Sequence, residues 1–194
     1  MQVIGITGTT GSGKTSILHT LERMGYEILD CDALYHGLLY TDENLGKSLE
    51  QAFGSVFLPD GKLNRKMLAD IVFHSDVALA KLNQIVFPVV IDAVKSHIEQ
   101  CTSEKGIVID AVNLIESGLG DLCSRTIAVV ADAESRLTRI MARVNLTEQE
   151  ARARIEAQKP DEWYMDHCNL IIRNDMSKEV FEGVSEGICQ SLGL

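Results

Sequence analysis

Short apolar runs alternate along this chain with longer stretches whose apolar residues return every three or four positions. Val3 to Thr7, Glu27 to Leu29, Ile107 to Asp110, Thr126 to Ala131 and Leu170 to Ile172 are short and rich in Val and Ile, as expected of strands covered on both faces. These runs predict a five-stranded parallel sheet. Between the first two, Ile17, Leu18, Leu21 and Met24 recur at helical spacing and Gly25 follows as a stop, which gives the strand, helix, strand unit of an α/β domain.

Leu29 and Ile107 are much farther apart than one crossover requires, and the chain between them carries only helical periodicity. It reads as an inserted helical subdomain. Leu45, Leu49 and Phe53 share a face, FLPDGKLN supplies a turn, and Asn64 is placed to cap a helix running to Phe73. Ser75 or Asp76 is placed to cap the next helix, with Leu79, Leu82, Ile85 and Val86 on one side. Pro88 predicts a break or a first turn before Val89, Ala93, Val94 and Ile98 resume the pattern. Farther on, Asp132 caps a helix through Arg143, and Thr147 with Glu150 has capping-box spacing. The apolar stretches, Ile85 to Ile91 among them, fall short of the roughly 18 residues needed to cross a bilayer, so no membrane span is expected.

Composition narrows the function. The 194 residues fit a single domain with an insertion, and 45% apolar residues suffice for a core. With 18 Lys and Arg against 28 Asp and Glu the net charge is −10, which disfavours general binding to nucleic acid or an anionic membrane. The five cysteines, Cys31, Cys101, Cys123, Cys168 and Cys189, form no CxxC pair and fit a reduced cytoplasm. The five histidines show no metal-ligand spacing, and Trp163 and Tyr164 read as packing residues.

The sharpest chemical signal is Gly8 to Thr15, GTTGSGKT, a complete GxxxxGKT phosphate-loop motif directly after one predicted strand and directly before a helix. Gly8, Gly11 and Gly13 let the backbone turn tightly and aim its amides inward, and the helix start adds partial positive charge. Lys14 is placed to reach the β and γ phosphates of ATP, and the Thr15 hydroxyl to complete an oxygen shell around Mg2+.

Asp30 and Asp32 flank Cys31 where the second strand ends, the side of such sheets on which ligands bind. Asp32 is the better candidate for the base that a phosphoryl acceptor requires, with Asp30 as fallback; a helix cap or an indirect magnesium contact are the plainer roles. Arg136, Arg139 and Arg143 lie on one helical face, where they are placed to offset the charge of a phosphoryl group in transfer, Arg139 and Arg143 ahead of Arg136.

The ordered set VIGITGTTGSGKTS, DCD, PDGKLNRKML, SRLTRIMAR, LTEQEARARIEAQ and CNLIIRN resembles the dephospho-coenzyme A kinase family over nearly the whole chain. The resemblance implies a three-layer α/β/α P-loop kinase: residues 1–32 and 105–194 as nucleotide-binding core, 33–104 as coenzyme-binding insertion and about 136–158 as a lid. It implies that residues Gly11, Ser12, Gly13, Lys14, Thr15 and Ser16 hold the ATP phosphates and that Asp32 activates the 3′-hydroxyl of dephospho-coenzyme A. It further implies that Arg139 and Arg143 are lid arginines, that Asn174 lies near the adenine, and that Arg65 contacts a substrate phosphate, with an ion pair at the Asp60 and Gly61 turn as its structural alternative. The sequence departs from the family pattern on the acceptor side: His36 replaces an arginine, Phe87 and Pro88 stand for HP, and Val112 to Glu116 stand for PLLFE. The expected protein is a cytoplasmic monomer or small homo-oligomer. Another small-molecule or nucleoside monophosphate kinase is the nearest alternative, and a nucleotide switch a more distant one, since neither NKxD nor LSGGQ occurs.

Overall fold

The structure, a computed structural model, describes residues 1–54, 56–58, 63–144 and 146–194. In chain order its elements are β1 (Gln2–Gly8), α1 (Lys14–Arg23), β2 (Glu27–Asp30), α2 (Cys31–Thr41), α3 (Glu43–Phe53), α4 (Arg65–Phe73) and α5 (Asp76–Gln100). Then follow β3 (Gly106–Asp110), a 3-10 turn (Leu119–Leu122), β4 (Arg125–Val130), α6 (Ala133–Val144), α7 (Glu148–Glu156), α8 (Asp161–His167), β5 (Leu170–Arg173) and α9 (Lys178–Ser191). The chain divides into two compact units, Met1–Leu29 with Cys101–Leu194, and Asp30–Gln100.

The first unit carries the sheet, ordered β2-β3-β1-β4-β5, with β1 parallel to β3 and β4, and β4 parallel to β5. Its middle strands are apolar through and through because both faces are covered. On one face Ile4, Ile6, Val108, Ile127, Val129 and Ile172 pack with Ile17, Leu18 and Leu21 of α1 and Phe181 and Cys189 of α9. On the other, Ala128 and Val130 meet Tyr164, with Trp163 alongside, so those two aromatics are packing residues as the sequence predicts. Helices on both faces of a parallel sheet make the three-layer α/β/α class. The strand periodicity ends at Ile172, and no pattern above assigns α9; its apolar positions are interleaved with Gly183 and Gly187, which weakens the helical signal.

The second unit is helical, with α5 packed by α2, α3 and α4. Local caps set its helix starts: Asn64 Oδ1 accepts from Met67 N (3.1 Å), Asp42 Oδ1 from Leu45 N (3.0 Å), and Ser75 Oγ from Ala78 N (3.2 Å). Phe57 bridges Leu63 across the predicted turn, whose tip, Pro59, Asp60, Gly61 and Lys62, lies outside the described residues.

One expectation is corrected here. Pro88 breaks nothing: α5 runs unbroken from Asp76 to Gln100 with Pro88 inside. Proline denies a donor to the carbonyl one turn back, but Val86, Val90 and Val94 are buried one turn apart and their packing outweighs that loss. Because of that continuity α5 is also long and apolar enough, by length and composition alone, to cross a bilayer, which the shorter apolar runs did not suggest. A core helix passes the same test, and α5 is the helix on which the rest of its unit packs.

Candidate active site

The phosphate loop is shaped by where its glycines stand. Gly8 has φ 147°, and a side chain there would begin 2.1 Å from the Val129 carbonyl oxygen, so β1 and β4 touch at the loop's root. Gly13, at φ 95° and ψ 17°, precedes α1 in the left-handed region, and a Cβ there would lie 2.3 Å from Asn174 Nδ2. The amides of Gly13, Lys14 and Thr15 open α1 and so have no carbonyl within the helix to bond. With the helix start behind them they form an anion cradle.

The predicted loop residues do different things. The Lys14 ammonium is paired with the Asp110 carboxylate at the end of β3, both side chains largely sheltered. The Thr15 side chain is exposed. Ser12 is turned inward: its amide donates to the Thr9 carbonyl (3.1 Å), and its hydroxyl, like that of Thr9, is buried with no partner among the described residues. Ser16 donates its amide to Gly13 O (3.0 Å) and its hydroxyl lies 3.5 Å from Glu182 Oε1.

The three arginines separate. Arg136, ranked last from sequence, is buried and donates to Thr10 O (3.0 Å) and to Gln158 Oε1 (2.6 Å); burial pushes its pKa down, with Asp161 and Tyr164 opposing. Arg139 donates to the carbonyls of Gly11 (2.9 Å), Asn174 (3.0 Å) and Met176 (2.6 Å), committing three of a guanidinium's five donors to backbone. Arg143 is exposed and has no partner among the described residues. Helices α6 and α7 pack through Leu137, Ile140 and Ala151, and the Thr147 and Glu150 capping box starts α7 as its spacing predicts. Asp132 caps α6, and its hydrogen bonds from Ser135 hold its carboxyl below the usual range.

Asn174 is buried. Its amide donates to Val130 O (2.8 Å) and its Nδ2 to Ser12 O (2.7 Å), so β5's end is stitched to the loop. In this unit the sequence reading overlooked Asp110 and Gln158. The first had a signal, an acidic residue closing the apolar run Ile107, Val108, Ile109; the second had none.

In the helical unit, Asp30 Oδ1 accepts from the amides of Asp32 (2.9 Å) and Ala33 (3.0 Å), so Asp30 is the cap of α2 and its carboxylate is engaged. Asp32 sits in the first turn, exposed, with no partner among the described residues. Arg65 Nη1 lies 3.4 Å from His36 Nε2, which joins two residues that the sequence had marked separately. Burial raises the pKa of the neighbouring Tyr35, with Arg65 acting in the opposite sense. The proposed ion pair of Arg65 with the Asp60 turn falls outside the described residues.

Residues 2–179 match the family model for dephospho-CoA kinase. The chain belongs to the dephospho-CoA kinase family. It is 32% identical over 178 residues to the dephospho-CoA kinase of Dehalococcoides mccartyi, covering 90% of this chain and 89% of that one. With the dephospho-CoA kinase of Chlorobaculum tepidum it shares 34% over 197 residues, 98% of this chain and 94% of the other. Among solved structures, TT1252 from Thermus thermophilus superposes with a TM-score of 0.81 at 30% identity, covering 99% and 96%. The dephospho-CoA kinase from Campylobacter jejuni, at 0.70 and 22%, and a shikimate kinase from Acinetobacter baumannii, at 0.52 and 18%, share the fold. As a member of the dephospho-CoA kinase family the chain is an ATP-dependent kinase of coenzyme A biosynthesis.

Proposed function

We propose that the protein transfers the γ-phosphoryl group of ATP to the 3′-hydroxyl of dephospho-coenzyme A in the cytoplasm. The observation that carries this reading is the glycine-shaped loop with Lys14 at its mouth, in a chain whose family model spans residues 2–179. The Asp32 carboxylate takes the proton from the 3′-hydroxyl, that oxygen attacks the γ-phosphorus, and the bond from phosphorus to the bridging oxygen breaks to release ADP. Asp32 suits the base role better than Asp30, whose carboxylate is occupied in capping.

The other chain groups bind and orient. The amides opening α1 hold phosphate oxygens, and Lys14 exchanges Asp110 for the β and γ phosphates. Arg143, exposed on α6, is free to meet phosphate oxygens, while Arg139 fixes the loop, with two donors beyond those given to carbonyls. Asn174 shapes the adenine side by setting the β5 end, and Arg65 with His36 reads the acceptor's phosphate. The Thr15 hydroxyl and the Asp110 carboxylate are hard oxygen donors of the kind magnesium takes alongside substrate phosphates, and bound there the ion would offset phosphate charge. Closure of α6 and α7 would exclude water as a competing acceptor.

The departures at His36, Phe87 and Val112 to Glu116 keep a second acceptor in play, another small alcohol or a nucleoside monophosphate. Incubation with magnesium ATP and dephospho-coenzyme A should yield coenzyme A by mass with one ADP per product. Phosphate release without an acceptor, or faster phosphorylation of a competing acceptor, would replace this reading.

A further inference from the structure

Every polar atom of Thr10, the second variable position of the phosphate loop, is held by two side chains from outside the loop. Its amide donates to Gln158 Oε1 (2.9 Å), its hydroxyl accepts from Gln158 Nε2 (3.1 Å), and its carbonyl accepts from Arg136 Nε (3.0 Å). The ring closes on itself, because Arg136 Nη2 also donates to the same Gln158 Oε1 (2.6 Å). Half-buried hydrogen bonds of this kind, two of them charge-assisted, hold a peptide in a single orientation.

Gln158 stands at a junction. On its amino side α7 ends at Glu156, and the Gln158 amide still bonds back to Ile155 O (3.2 Å). On its carboxyl side Lys159 lies over the Trp163 ring (5.5 Å), and Trp163 stacks on His167 and packs with the sheet residues Ala128 and Val130. The side chain that grips Thr10 therefore belongs to the point where the α6 and α7 hairpin returns to an anchored helix. Arg136 grips the same residue from the first turn of α6, so both ends of the hairpin are fastened to one loop residue.

We propose that Gln158 is a positioning residue for the nucleotide: with Arg136 it fixes the Thr10 peptide and through it the loop that receives the phosphates, and it ties the root of the hairpin to that loop. Gln158 touches no reacting atom. Its contribution is preorganisation, which appears as nucleotide affinity because a loop that must be ordered on binding binds more weakly. The kinetic part rests on the phosphotransferase reading above; the binding part does not.

The test compares Gln158→Ala, Gln158→Glu and Thr10→Val with the parent protein, by direct titration with magnesium ATP and by steady-state kinetics with dephospho-coenzyme A. Loss of three hydrogen bonds in Gln158→Ala, two of them to Thr10, should weaken ATP binding about ten-fold and raise the KM for ATP in step, leaving the acceptor KM within about two-fold. Gln158→Glu keeps the acceptor for Thr10 N and for Arg136 and can accept from the Thr10 hydroxyl in place of donating to it, so it should restore most of the affinity. Thr10→Val, which removes that hydroxyl and leaves the Gln158 Nε2 without it, should lose about three-fold. Should Gln158→Ala not fold, the other two variants carry the comparison, with an expected loss of about three-fold each. ATP affinity within two-fold of the parent in every folded variant, or ATP and acceptor constants that rise together with a fall in Tm, would overturn the proposal. If the parent makes no coenzyme A yet ATP affinity falls as stated, the acceptor assignment is what has failed, and the role of Gln158 stands.

Discussion

Apart from the exposed Thr15 and Arg143, the candidate groups of the sheet-bearing unit are engaged, while Asp32 and Arg65 of the helical unit are largely open. In the sheet-bearing unit Lys14, Arg136, Arg139 and Asn174 are each tied to named partners, and the loop they surround is held from β4, α6, β5 and the end of α7. In the helical unit Asp32 is exposed, and Arg65 has one long contact to His36. On the proposed assignment of the loop to ATP and of Asp32 and Arg65 to the acceptor, the contrast would follow from what each recognises. A polyphosphate is met by backbone amides that can be set before it arrives, whereas an acceptor is met by side chains that stay open until it comes.

The comparison breaks most sharply at Lys14. Lys14→Ala removes the loop's only side-chain cation and leaves Asp110 without it, so turnover should fall by several orders of magnitude; near-normal turnover would undo the assignment of the loop. Next, Asp32→Asn keeps the shape of the exposed carboxylate and removes its basicity. Phosphoryl transfer should drop about 10²- to 10⁴-fold while titrated ATP affinity is unchanged, and an unchanged rate would mean that Asp32 is not the base. A smaller effect is expected from Arg65→Ala and His36→Ala, which should raise the acceptor KM by about three- to ten-fold and leave the ATP KM alone. A shift in the ATP constant instead would erase the distinction between the two units. The smallest change is in stability: Pro88→Ala restores a donor to the α5 backbone and should add about 1 kcal/mol or more, seen as a rise in Tm of roughly 2–4 °C without loss of activity.

What the residues disclosed in advance follows the same division. The five strands, the phosphate loop and the caps at Asn64, Asp132 and Thr147 were legible because each is a local pattern: alternating burial, a glycine spacing, or a side chain three residues from an amide. Pro88 misled because local chemistry favours a break and only tertiary packing overrides it. The structural role of Arg136 was missed for a related reason. Helical spacing shows that Arg136, Arg139 and Arg143 share a face, but not that Arg136 points into a half-buried ring with Thr10 and Gln158, both distant in sequence. The cap of α2 likewise falls on Asp30, a distinction that the DCD triplet alone does not make.

Lys14 is never a naked charge. Its ammonium has a counter-ion in Asp110, and with only 19% and 16% of the two side chains exposed, bulk salt screens that pair weakly. Any anion entering the loop must therefore outbid a resident carboxylate. A monovalent visitor offers Lys14 little more than it already has, while a triphosphate engages the amides and the helix start in the same event. On this geometry the resident carboxylate would favour visitors of high charge over small monovalent anions.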